Sequence, residues 1–135
     1  MFKIFDIAST GMSAQSLRLN TVASNLANAD SVAESADSAY RARMPVFQEM
    51  QVGRDGAGSG VAMRGIVESR EDVQMLYQPE NPLADANGYV YRSNVNVVEE
   101  MANMTSASQS YKTNVEMLST VKRLMLATLR LGQSG

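Results

Sequence analysis

Two long stretches, one at each end of the chain, carry a seven-residue repeat of apolar side chains and contain no proline. Within residues 1–30, steps of three and four residues connect Phe5, Ala8, Met12, Gln15, Leu19, Val22, Leu26 and Ala29. Within residues 95–131, the same steps connect Val97, Met101, Met104, Ser108, Tyr111, Val115, Leu118, Lys122, Met125 and Leu129. This period predicts two α-helices, each with a seam suited to coiled-coil packing.

The C-terminal helix is expected to be long and to have a second apolar side. Asn96, with Glu99 three residues later, is a candidate N-cap, and Gly132 is a candidate C′ residue. Residues 96–131 would form a helix about 54 Å long at 1.5 Å per residue. The ten methionines suit either a helix core or an adaptable surface, and the composition leaves both open. Two helices alone cannot cover the second stripe, which consists of Met117, Val121, Leu124 and Leu131.

The middle of the chain, residues 31–94, holds all three prolines and most of the glycines. The glycine-rich residues 53–60 predict a flexible loop. Apolar residues with some alternation predict three short strands, at residues 44–52, 61–68 and 73–77.

The Asn87-Gly88 dipeptide is a strong signal for a tight turn that leads into an extended segment. Asp85 and Asn87 also offer the oxygen atoms that calcium prefers. Two side chains do not supply the roughly six to eight ligands of a calcium site. We therefore expect Asp85, Asn87 and Gly88 to shape a turn rather than bind a metal.

These patterns predict a mainly α fold with a small β insertion. The long N- and C-terminal helices are expected to pair as a coiled-coil hairpin, with a middle segment of short β-strands and extended loops between them. The expected divisions are residues 1–30 and 95–135 for the helical core domain and 31–94 for the middle region. Asn25 and Asn28 lie one turn apart on the first helix, where buried amides could fix the register between helices. Exposure to solvent is the alternative, and the composition leaves both open.

The composition removes most catalytic and metal chemistry. The chain has no cysteine and no histidine. Disulfides, thiolate or imidazole metal sites and the triads that need these residues are therefore excluded. A net charge of −2 disfavours a nucleic-acid partner. The sequence also lacks the run of about 18 apolar residues of a transmembrane helix and the pattern of a cleavable signal peptide.

Two short motifs resemble reactive sites but lack the rest of the pattern. Ser119 and Lys122 match S-x-x-K, in which a lysine activates a serine, but the partner motifs of such hydrolases are missing. Residues 56–60 (GAGSG) fit the spacing of neither G-x-G-x-x-G nor the P-loop. A polar helix face and a flexible loop are the favoured interpretations. We predict no catalytic residue, no metal, no cofactor and no small-molecule substrate.

Several further motifs occur in a fixed order along the chain. Residues 24–31 (SNLANADS) resemble the A-N-N-L-A-N-x-x-T segment near the N-terminus of bacterial flagellar rod and hook proteins. Residues 81–90 (NPLADANGYV), followed by 94–101 (NVNVVEEM), are the most specific stretch and resemble the proximal-rod members of the flagellar basal-body rod family. The resemblance covers about residues 1–50 and 66–133.

Two segments depart from the family pattern. Residues 53–65 follow no recognisable motif. Ser93 stands where a proline often precedes the N-V-N segment, which predicts a less rigid start of the last helix. Neither departure conflicts with the family assignment.

The resemblance implies a structural subunit that stacks helically in the hollow rod, the drive shaft that transmits torque and passes exported subunits. It implies a place in the basal body across the periplasm, reached through the flagellar type III system without a cleaved signal peptide. The implied partners are further copies of the chain, other proximal-rod proteins, the distal-rod protein and the adapter at the export gate and MS ring. Apolar stripes left uncovered in a single subunit predict weak order before assembly.

Within this interpretation, certain side chains are expected to pack in the assembly. The packing positions are Met12, Leu19, Val22, Leu26, Met101, Tyr111, Val115, Leu118 and Met125. Asn25 and Asn28 are the expected register-setting positions. The alternatives are another rod- or hook-family axial protein, a coiled-coil adapter for cytoplasmic partners, and a serine hydrolase that uses Ser119 and Lys122.

Overall fold

The computed structural model describes residues 2–53, 55, 56 and 58–134. A three-stranded antiparallel sheet and a separate antiparallel hairpin lie between two helices. In chain order the elements are α1 (Phe2–Ala27), β1 (Val32–Ala33), β2 (Arg43–Val52), β3 (Gly58–Glu68), β4 (Gln74–Tyr77), β5 (Tyr89–Arg92) and α2 (Val97–Ser134). The sheet has the order β1-β5-β4, and the hairpin pairs β2 with β3. The predicted architecture of two terminal helices around a middle of short strands is confirmed.

Asparagine side chains lie at one end of each helix. Asn96 Oδ1 accepts the N–H of Glu99 at 3.2 Å, so the N-cap prediction is confirmed. At the other helix, Asn28 Nδ2 donates to the Ser24 carbonyl at 2.8 Å, and α1 ends before the predicted limit at residue 30. The predicted C′ role of Gly132 is wrong. Helix α2 continues through Gly132, which does not adopt the positive φ that such a cap requires.

The predicted strands correspond to β2, the later part of β3, and β4. Strand β3 begins at Gly58, however, so the flexible loop predicted for residues 53–60 is wrong over its last three residues. Gly58 and Gly60 are buried, and both have α1 side chains next to the place where a Cβ would lie. Glycine at these positions therefore reflects close approach of the strand to the helix. The two-residue strand β1 carries no signal in the sequence.

Helix α1 occupies the centre of the fold, since it contacts α2 on one side and both strands of the hairpin on another. Gly11 lies against the Asn114 side chain, and Arg18 Nη2 donates to Asn103 Oδ1 at 3.3 Å. These two contacts fall in opposite order along the helices, so the helices run in opposite directions. The apolar side chains buried on the two helices are small, which permits this close approach: Ala8, Ala14, Val22, Ala107 and Val121.

We expect Gly60→Ala to lower the free energy of unfolding by about 1–3 kcal/mol, the usual cost of overpacking. An added Cβ would lie 2.7 Å from Thr10 Oγ1 and 2.8 Å from Val52 Cγ2. The Thr10 hydroxyl cannot easily move away, because it donates to the Ile7 carbonyl at 2.7 Å and accepts the Val61 N–H at 3.1 Å. Urea unfolding of the full chain measures the effect.

Gly65→Ala is the matched control on the same strand, since nothing lies within 4 Å of a Cβ at that position. It should leave the unfolding midpoint unchanged or raise it slightly, as it restricts the unfolded chain. Equal losses for the two substitutions would contradict the close contact between β3 and α1.

Candidate assembly surface

The Asn25 side chain joins α1 to the start of the hairpin. Asn25 is 1% exposed. Its Oδ1 accepts the Tyr40 hydroxyl and the Arg43 N–H, both at 2.9 Å, and its Nδ2 donates to the Arg43 carbonyl at 2.8 Å. The amide thus satisfies both backbone groups of Arg43 as a neighbouring strand would.

This geometry corrects the register role predicted for Asn25 and Asn28 between the two helices. Asn25 bonds to the segment that leads into β2 rather than to α2. Asn28 is half-buried and donates to the Ser24 carbonyl of its own helix. Both amides therefore act within the chain, one as a link between α1 and the hairpin and the other at the end of α1.

The chain passes between the helix pair and the middle region at two places, which we call the crossings. The two crossings lie side by side. Val32 pairs with Arg92 and Ala33 with Tyr91, so β1 and β5 close the base of the middle region. Arg92 also forms an ion pair with Asp30, at the turn that follows α1. We call this place, residues 29–33 and 91–95, the neck.

Ser93 is the central side chain of the neck and is 1% exposed. Its hydroxyl donates to the Ala29 carbonyl at 2.6 Å and accepts the Val95 N–H at 3.4 Å. The prediction of a less rigid start of the last helix overlooked this anchor. A proline could not form it, because proline has neither a hydroxyl nor an N–H.

Asn94 links the neck to the start of the hairpin. Its Oδ1 accepts the Ala42 N–H at 2.7 Å, and its Nδ2 donates to the Glu71 carbonyl at 2.8 Å. Together with Asn25, it fixes the backbone around residues 42 and 43 from two sides. Sequence reasoning found both asparagines through their motifs but did not identify their backbone partners.

The loop before β5 is organised by Asp85. Its Oδ1 accepts the N–H groups of Asn87 and Tyr89, both at 2.9 Å, and its Oδ2 accepts the Tyr91 hydroxyl at 3.1 Å. The pKa of the Asp85 carboxyl lies below its usual value, chiefly because of the Tyr89 N–H, while the bond to Asp85 raises the pKa of Tyr91. Gly88 has a φ of +85°, which favours glycine. Both carboxylate oxygens of Asp85 therefore accept hydrogen bonds that stabilise the turn.

The side of α2 that faces α1 covers a narrower arc of the helix surface than the apolar residues do. It lies next to the predicted seam. At about 100° per residue, its centre is displaced by roughly 70° from the centre of the seam. Small and polar side chains form much of it, and these carry little signal in a pattern of large apolar residues. We call this side the inner face; its members are Glu100, Asn103, Ala107, Ser110, Asn114, Leu118, Val121 and Met125.

Because the inner face is rotated away from the predicted seam, a row of large apolar side chains remains on one flank of the inner face. We call this row the outer stripe; it consists of Met101, Tyr111, Val115 and Leu129, which are 56%, 36%, 41% and 61% exposed. Met101, Tyr111 and Val115, which were predicted as packing positions, therefore lie beside the contact with α1 rather than at its centre. Their spacing still places them on one side of α2.

The other flank of the inner face carries a second exposed row. We call it the opposite stripe; it consists of Met117, Leu124 and Leu131, spaced by seven residues and all exposed. Val121 was predicted to share this row but is buried on the inner face. Helix α2 thus presents apolar side chains on both sides of its contact with α1.

The packing positions predicted on α1 are more enclosed than those on α2. Val22 is buried, and Met12, Leu19 and Leu26 are half-buried. Met12 lines an open groove of about 590 Å³ together with Tyr111 and Leu118 of α2. The groove therefore brings three of the predicted packing residues together where the outer stripe meets α1.

The reactive motif considered above lies apart from any such groove. Ser119 and Lys122 are both exposed on α2. In the part of the chain that the structure covers, no three acidic residues come together as metal ligands would. Neither described helix has the length and hydropathy needed to cross a bilayer.

The comparisons with known proteins match the parts of the chain that build this surface. Residues 5–34, which include most of α1 and all of β1, match the family described as "Flagella basal body rod protein". Residues 86–131, which include β5 and nearly all of α2, match "Flagellar basal body rod FlgEFG protein C-terminal". The two matches thus include both sides of the neck and both contacting helices.

Curated relatives align with nearly the whole chain. The chain is 52% identical over 133 residues to the flagellar basal-body rod protein FlgC of Salmonella typhimurium, covering 98% of each chain. It is also 52% identical to FlgC of Yersinia enterocolitica and 38% identical to that of Buchnera aphidicola, again covering 98% of each chain. The chain therefore belongs to the flagellar basal-body rod protein family, alongside the FlgC proteins.

Proposed function

We propose that this chain is a structural subunit of the proximal flagellar rod, which assembles helically with further copies of itself and with other rod proteins. The observation that carries the proposal is the pair of apolar stripes on either side of the inner face. Exposed apolar rows of this extent mark surfaces that other proteins cover. No single residue performs chemistry in this function, because many packed helices would share the transmitted torque.

The arrangement of α2 favours an open helical array over a closed dimer. The outer and opposite stripes differ in residue content and lie on different flanks, so one copy can offer its outer stripe to one neighbour and its opposite stripe to another. Contacts between unlike surfaces generate rings or helical arrays. Within each subunit we propose that α1 and α2 act as a coiled-coil hairpin, and that the predicted packing residues lie at or beside its helix contacts.

The wider setting follows from the family. Rod proteins of the FlgC type are the named relatives, and we propose that this chain likewise contacts other proximal-rod proteins, the distal-rod protein and the adapter at the export gate and MS ring. We further propose export through the flagellar type III system and a final place across the periplasm. The small apolar side chains buried on both helices suit close packing of many helices.

Purified basal bodies provide the test. We expect a tagged full-length chain, expressed in place of the corresponding rod protein, to be recovered in the rod fraction of basal bodies and to restore motility. The measurement is immunodetection of the tag in basal bodies after detergent extraction and alkaline washing. A tagged chain found only in the cytoplasmic fraction of motile cells would contradict the proposal and favour a coiled-coil adapter.

A further inference from the structure

A pocket with both apolar and charged lining residues lies between the two helices and the start of β2. It has a volume of about 330 Å³ and is lined by Gln15, Arg18, Arg43, Phe47, Glu100 and Asn103, among others. It opens beside the inner face of α2 and is distinct from the groove at Met12. The feature that distinguishes the pocket is the burial of its acidic side chain, Glu100.

Glu100 is only 7% exposed, and its Oε2 has no hydrogen-bond partner among the described residues. Gln15 Oε1, a second acceptor of the same pocket, is also buried without a partner. Leaving a buried acceptor unsatisfied is costly, and the cost is greater for a charged group. The isolated subunit thus keeps two acceptors in one pocket that call for a donor.

The two arginines that line the pocket contact groups other than Glu100. Arg18 donates to Asn103 Oδ1. Arg43 lies over the Tyr40 ring, with its guanidinium carbon 5.6 Å from the ring centroid, and its Nε is 3.9 Å from Glu68 Oε1. Neither forms an ion pair with Glu100 in the part of the chain that the structure covers. In this structure, neither arginine therefore supplies the donor that Glu100 lacks.

The far end of α2 carries donors of the required charge. Lys122, Arg123 and Arg130 lie there, and no acidic residue follows Glu116 in the sequence. All three are exposed, and none belongs to an ion pair between described residues. At 1.5 Å per residue, these positions lie about 33–45 Å along the helix from Glu100. The helix cannot fold back over this distance, so its own basic end cannot reach the pocket.

We propose that the pocket at Glu100 receives a basic side chain from the C-terminal end of α2 of a second copy of this chain. The inference rests on the proposed helical assembly, in which copies displaced along the rod would bring unlike ends of α2 together. A guanidinium suits the pocket best, because its several N–H groups can satisfy Glu100 and Gln15 at once. The contact would join the N-terminal part of α2 in one copy to the basic C-terminal part of α2 in the next. Every such contact would point in the same direction along the rod.

Substitutions at Glu100, with Glu99 as the matched neighbour, test the inference in the full chain. Glu99 is exposed and outside the pocket lining. We expect Glu100→Gln to reduce recovery in basal bodies at least tenfold, with unchanged helical circular dichroism of the purified chain. Glu99→Gln should leave both measurements unchanged. We expect Glu100→Arg to abolish recovery and one of Lys122→Glu, Arg123→Glu or Arg130→Glu, added to it, to restore recovery.

Each contrary result has a separate meaning. Normal recovery of Glu100→Gln would overturn the inference while the proposed function stands. Loss of helical signal in Glu100→Gln alone would assign Glu100 to folding within the subunit and would also overturn it. If recovery is reduced and none of the three charge-reversal substitutions restores it, the cation belongs to a different protein. That result would overturn the assignment to a second copy of this chain. Absence of the wild-type chain from basal bodies would overturn the proposed function, and this inference with it.

Discussion

Asn25→Ala is expected to lower the free energy of unfolding by about 3–5 kcal/mol, because it removes the three hydrogen bonds of a buried amide at about 1–1.5 kcal/mol each. The Arg43 N–H and carbonyl and the Tyr40 hydroxyl would each lose the hydrogen bond that Asn25 now supplies. A loss of this size is a large part of the stability of a small domain. Urea unfolding followed by far-UV circular dichroism measures the change.

Asn28→Ala is the control of the same residue type one turn later. Asn28 is half-buried and makes a single side-chain hydrogen bond, to the Ser24 carbonyl. We expect Asn28→Ala to lower the free energy of unfolding by about 1 kcal/mol. If both substitutions shifted the urea midpoint equally, the link between α1 and the start of β2 would not contribute as the geometry indicates.

Replacing two members of the outer stripe, Val115→Gln with Leu129→Gln, is expected to reduce recovery in basal bodies by at least a hundredfold. Full burial of each apolar side chain contributes about 1.5–3 kcal/mol. Two such losses therefore weaken a contact by about two to four powers of ten. Glutamine is a good helix former, so α2 should keep its helical circular dichroism.

The matched control is Lys112→Gln with Glu116→Gln on the same helix. Both residues are exposed and lie outside the two apolar stripes, and the pair of changes leaves the net charge unaltered. We expect recovery in basal bodies close to wild type. Normal recovery of the outer-stripe variant would show that neighbours do not cover this side of α2.

The sequence was sufficient to predict both helices and the longer strands, but not which side of α2 packs against α1. Both helices and the longer strands carry strong periodic patterns, which local physical chemistry can interpret. The inner face of α2 was missed because Ala107, Ser110 and Asn114 are weak apolar signals, yet their small size permits close approach. Periodicity finds the largest side chains, whereas packing against α1 selects those that fit.

The polar links were beyond sequence analysis for a different reason. Asn25 and Asn94 stand in recognisable motifs, but their partners are backbone groups near residues 42 and 43, whose positions depend on the folded chain. The unpartnered carboxylate of Glu100 is likewise visible only after three elements enclose it. Local patterns do not encode these distances, because each depends on contacts between segments far apart in the chain.

The neck fixes the two points at which the chain leaves the helix pair and returns to it. Opposed residues of an antiparallel strand pair lie about 4.5–5.5 Å apart. The chain thus leaves the helix pair and returns to it at almost the same point, through Val32 and Arg92. Extra residues inserted at an outer loop of the middle region would leave both crossings in place. The neck therefore lets the outer loops of the middle region change in length while the two crossings, and the packing of the hairpin on α1, stay in place.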